Sequence, residues 1–365
     1  MGALFNTQLA ALTTTSFNAL TATQVGGFTS TQLGGLTTTQ LGALDTTSVD
    51  EFTSTQLRGL TSTQIGALGS TNFSELSSTQ LAQLTSTQIS GLTTTQLAGL
   101  TTTDVDEFTS TQLRGLTSTQ IGALGETNFS ELNATQLSGV VATQLLGLTT
   151  TQLGALTTTD AGEFSATQLG GFTTTQFNAL ATDAIGAFSA TQARGLTVTQ
   201  VAGLNSTSVN SFSTTALGGL TTTQARAFTT TQVGNINETA VLGFTSTQLG
   251  ALANAQVAAL TTTSFNALTS TQVSGLTSTQ FGGLTTTQLS SLTTSDVDEI
   301  KATQLRGLTT TQVGALGETN FSELNATQVA GFTSTQLTGL TTTQLGALTT
   351  TDAGEFSSTQ LGGLT

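Results

Sequence analysis

The chain has 365 residues, 20 acidic against 6 basic, and a net charge of −14; it contains no Cys, His, Pro, Trp or Tyr. That composition excludes a disulfide framework, a thiol nucleophile, an imidazole base and an ordinary zinc site. Six basic side chains cannot neutralise a run of phosphates, which argues against nucleic-acid binding.

The first residues, MGALFNTQLAAL, lack a basic region and a long apolar run, so they do not read as a signal peptide. No later stretch approaches the roughly 18–20 apolar residues of a membrane helix, so no membrane span is expected. Instead the sequence repeats every eight residues to its end. Let Gln8, Gln24, Gln32 and every other multiple of eight occupy slot 4. Slot 5 then runs from Met1, Leu9 and Phe17 to Leu361, and all 46 occupants are apolar; slot 8, from Leu4 to Leu364, is Leu, Phe, Ile or Val throughout. Slot 3 is Thr in 42 of 45 octads, Asp183, Ala255 and Ser295 being the exceptions, and slot 4 is Gln in 31 of 45. No insertion breaks the register, so residues 1–365 read as a single continuous array. A longer pattern of seven octads recurs at 45–100, 101–156 and 293–348. It has the look of a recent duplication.

Apolar residues spaced three then five apart fit neither strict alternation nor one long helix, in which eight residues would turn the stripe by about 80° per octad. Each octad must hold one element and one turn. Slot 1 is rich in Thr, Ser, Asp and Asn, good N-caps, and slot 4 supplies Gln three residues later, which together make a capping box. Slots 8 and 5 then form the hydrophobic staple. All five Arg (Arg58, Arg114, Arg194, Arg226, Arg306) lie in slot 6, near the expected helix C-terminus. Gly and Ala at slots 6 and 7 would let neighbours approach closely. The reading is a repeat solenoid, an all-α stack of very short capped helices. A β-solenoid is the alternative, because runs such as Thr37–Gln40 have high β propensity. Two octads per coil are preferred over three. In a 24-residue coil Glu51, Glu107 and Glu299 would stack on Glu75, Glu131 and Glu323. Capping leaves the Thr at slot 3 unexplained.

Candidate sites are few. The acidic clusters holding Asp104, Asp106 and Glu107, and Asp296, Asp298 and Glu299, offer oxygen ligands for calcium, but without a known calcium loop; a solvated face with Asp–Arg pairs one octad apart is the plainer reading. Asn133 and Asn325 head Asn-x-Thr glycosylation motifs. Phe73, Phe129 and Phe321 are core by spacing. No catalytic residues and no cofactor are expected, so the chain does not read as an enzyme.

Octads such as Thr341–Thr342–Thr343–Gln344–Leu345–Gly346–Ala347–Leu348 resemble the tandem Thr-Thr-x-Gln-(Leu/Val/Ile)-x-x-Leu arrays of large bacterial secreted or surface adhesin-like proteins. Ala184, Ala216 and Ala240 depart from that pattern at slot 4. The resemblance implies an extracellular or cell-surface location. The expected function is a non-catalytic solenoid, a fibre subunit or surface stalk joined to itself end to end; bare repeats at both ends suit either that arrangement or a segment of a larger protein. The alternative is a Thr-array binding module for glycan, a host surface or ice.

Overall fold

The computed structural model describes residues 4–364; Met1, the first slot 5 residue, lies outside them. Among the described residues there are 45 helices of four to six residues, one per octad, and no strand. The helical reading holds and the β-solenoid does not. Thr37–Gly42 shows how local chemistry decides this. Thr37 is the extended N-cap (φ −74°, ψ 155°) of the helix Thr38–Gly42. The Gln40 N–H donates to Thr37 Oγ1 at 3.2 Å, and the Thr37 N–H donates to Gln40 Oε1 at 2.9 Å. Thr thus caps rather than extends a strand, which overrides its β propensity. The helix closes with the Leu44 N–H on the Leu41 carbonyl, 3.3 Å, and the chain turns into the next cap.

Where slot 1 lacks an oxygen or hydroxyl side chain, only half of the box remains. Val141, Ala253 and Lys301 receive the Gln oxygen on their N–H groups at 2.7, 2.7 and 2.8 Å and offer no acceptor in return. The N-caps Gly69 and Gly317 have φ of +80° and +82°, and Gly125, the first residue of the helix Gly125–Ser130, has φ of +80°, a region that L side chains avoid.

The chain divides into two compact units, Met1–Ala184 and Ile185–Thr365. In each, a helix packs on the third helix along, not the second. Thr38–Gly42 lies against Ser62–Ala67, and Thr230–Gly234 against Asn254–Ala259. One coil is therefore three octads, 24 residues, and the expectation of two octads per coil is corrected. Like charge at slot 7 does not prevent this: Glu51, Glu75, Glu131 and Glu323 are exposed, so solvent screens them at small cost, while Glu107 and Glu299 are half-buried. Buried bonds that need the 24-residue register outweigh that cost.

The apolar slots meet inside each stack. Leu57, Ile65, Val105 and Leu249 are at most 1% exposed, and Phe73, Phe129 and Phe321 are core as their spacing predicts. Small residues at slot 7 permit the contact between coils. A Cβ on Gly59 or Gly139 would collide with the backbone carbonyl of Ser30 or Ser110 in the coil beneath.

Candidate functional site

The slot 4 glutamines are the most heavily used polar groups in the molecule. Gln280 is 2% exposed. Its Oε1 accepts from the Thr277 N–H at 2.7 Å and from Thr277 Oγ1 at 3.2 Å. Its Nε2 donates to the carbonyls of Leu249 and Leu252 in the coil beneath, both at 2.8 Å. One side chain therefore caps its own helix and ties it to another, 28 and 31 residues back. The same pair of donations recurs at Gln40, Gln88, Gln168, Gln232 and Gln328. Slot 8 carbonyls stand just outside each helix, and the amide is what satisfies them.

Sequence reasoning found the cap and missed the tie. A signal was present: capping boxes accept Glu as readily as Gln, yet no slot 4 residue is Glu. A carboxylate caps equally well but has no N–H to give. Asn72, Asn128 and Asn320 make the complementary point. One methylene shorter, they keep the tie to Leu44, Leu100 and Leu292 at 2.8, 2.9 and 2.7 Å. Theirs are the octads with a positive-φ glycine at slot 1, which has no side chain to share.

Slot 3 is the second regular feature. Every slot 3 residue is exposed, and among the described residues no slot 3 Thr hydroxyl makes a hydrogen bond within the chain. The uniform Thr is therefore not required by capping or by contact between coils. With a 24-residue coil, residues such as Thr39, Thr63, Thr87 and Thr111 fall in one column.

The calcium candidates do not converge. Asp104 is buried and caps Thr101, whose N–H donates to Asp104 Oδ2 at 2.7 Å; Asp296 caps Thr293 in the same way at 2.6 Å. Asp106 and Asp298 are exposed, and Glu107 and Glu299 are half-buried. Among the described residues no three His, Cys, Asp or Glu side chains gather as a metal site would need. Among the described residues the expected Asp–Arg pairs are not made either. With three octads per coil, Asp106 and Arg114 sit on successive sides of a coil. Arg194 instead donates from Nε to the Gly219 carbonyl at 3.3 Å. Asn133 and Asn325, the glycosylation candidates, serve as N-caps for the Gln136 and Gln328 N–H groups, each at 3.1 Å.

Burial, and then the charge of Asp104, raises the Glu107 carboxyl above its ordinary range. Burial, and then Asp160, raises Glu163, opposed by the Ala134 N–H in the coil beneath. Asp45 is lowered by its hydrogen bonds with Ser48, which it caps. No helix among the described residues is long and apolar enough to cross a membrane. No protein family, curated protein or solved structure matches the chain.

Proposed function

We propose that the chain is a non-catalytic structural solenoid, a surface stalk or a fibre subunit that joins to copies of itself end to end. One observation carries this reading. Each coil points Gln amide donors at the coil beneath and offers slot 5 and slot 8 carbonyls to the coil above. Such a face is complementary to its opposite and not to itself, so it makes heterologous contacts that can continue without closing. The resemblance to bacterial adhesin-like arrays favours an extracellular or cell-surface setting. Negative-stain electron microscopy of the purified chain, with sedimentation across a concentration series, tests it. Filaments that lengthen with concentration are expected. Strictly monodisperse particles overturn the fibre and leave the stalk.

A second reading, a binding module, is favoured by the exposed slot 3 threonines whose hydroxyls the fold leaves unused. Glycan arrays and thermal-hysteresis measurements test it. Replacing one column, Thr39, Thr63, Thr87 and Thr111, by Ala without loss of signal would remove it.

A further inference from the structure

Four octads carry Asp at slot 4: Asp104, Asp160, Asp296 and Asp352. Each also carries Glu three residues later, at Glu107, Glu163, Glu299 and Glu355. The aspartates keep the capping half of the glutamine's work. The N–H groups of Thr101, Thr157, Thr293 and Thr349 donate to their Oδ2 atoms at 2.7, 2.7, 2.6 and 2.8 Å. They cannot perform the other half, because a carboxylate has no N–H.

By the 28-residue register, the carbonyls left without an amide belong to Leu76, Leu132, Leu268 and Leu324, all in buried residues. The octad above each carries a carboxylate whose Oδ2 accepts from its own cap and which has no N–H to offer the carbonyl beneath. Among the described residues only Asp104 of the four aspartates is reached from the coil beneath, by Ser74 Oγ at 2.9 Å. Two further signs of poor fit occur at these octads. Glu107 Oε2 and Glu355 Oε2 are buried without a partner. A cavity of about 10 Å³ lies beside Asp296, lined by Phe265, Val273, Phe281, Leu292 and Ile300. Ala216 and Ala240 also lack the amide, but they are apolar and bring no charge to the carbonyls beneath.

We propose that the four Asp-x-x-Glu octads are joints, the places where one coil separates from the next before the rest of the stack opens. Each compact unit holds one pair of them, 56 residues apart. A stack built this way yields at set positions while its Gln-linked coils stay closed. The proposal rests on the bonding between coils and is independent of the fibre or stalk reading.

Hydrogen exchange on the intact chain, resolved by octad, tests it. Amides of residues 101–108 and 293–300 should exchange at least tenfold faster than those of the Gln octads 85–92 and 277–284. The fourfold variant Asp104→Gln, Asp160→Gln, Asp296→Gln, Asp352→Gln should bring the two classes together. The fourfold Asn variant, matching the chain's own Asn72, is the milder form and should close part of the gap. Removing four exposed acids elsewhere, as Glu51→Gln, Glu126→Gln, Glu238→Gln and Glu318→Gln, controls for net charge and should leave the gap intact. Equal exchange in the two classes overturns the proposal, as does a gap that survives both slot 4 variants or closes in the charge control.

Discussion

A single amide separates the glutamines of this chain from the glutamates that would cap as well. The Gln280 side chain fills both its acceptor and its donor roles in a buried setting. Gln280→Ala removes these bonds and leaves the Leu252 carbonyl bare, which costs about 1–3 kcal/mol. Gln280→Glu keeps the cap but sets a carboxylate against two carbonyls, and should cost more than the alanine. Thermal unfolding of the two variants checks the order. Acids at slot 7 give a pH signature. Glu107 and Glu163 titrate above their ordinary range, so the folded chain holds more protons than the unfolded chain between the ordinary and the raised value. Stability should fall as the pH rises through that window. Glu163→Gln should flatten this slope in a pH series of melting temperatures. Asp45 acts in the opposite sense at more acid pH: its stabilisation is lost as the pH falls through its lowered value.

An octad cannot stand alone. Four to six helical residues are too few to persist in water, so each helix depends on what lies above and below it. Slot 7 sets how close that neighbour comes. Gly139→Ala would push a Cβ into the Ser110 backbone and should destabilise by about 1–3 kcal/mol. Gly162→Ala, with nothing within 4 Å of the new Cβ, should be neutral or stabilising by up to about 1 kcal/mol. The pair compares one chemical change with and without a coil in the way. Existence, position and caps of these helices are legible in the eight-residue pattern, since capping acts over three or four residues. The partner helix is not legible in that way. Two octads per coil and three bury the same apolar slots, and the charge at slot 7 pointed to the wrong one.

Across the whole chain the 24-residue coil is directly testable, because no native Cys competes. A short thiol-to-thiol cross-linker should join cysteines placed at Thr39 and Thr63 and fail to join Thr39 and Thr55. Fragment sizes after proteolysis would read the result. Far-UV circular dichroism should show a helical spectrum despite the Thr content. Within each unit a coil touches only its neighbours, so stability is close to a sum of coil and junction contributions. A change at one junction should be felt in the coils beside it more than in distant ones.

The order of residues alone determined an unbroken eight-residue repeat with greasy slots 5 and 8 and favoured capped helices, leaving a β coil as the alternative that the folded structure removes. Those features follow from contacts within one octad. Only the folded stack decided three octads per coil, the amide ties between coils, and the unused hydroxyls at slot 3. The reason is distance along the chain: a tie spanning 28 and 31 residues leaves no mark in an eight-residue period, apart from the persistent choice of Gln over Glu.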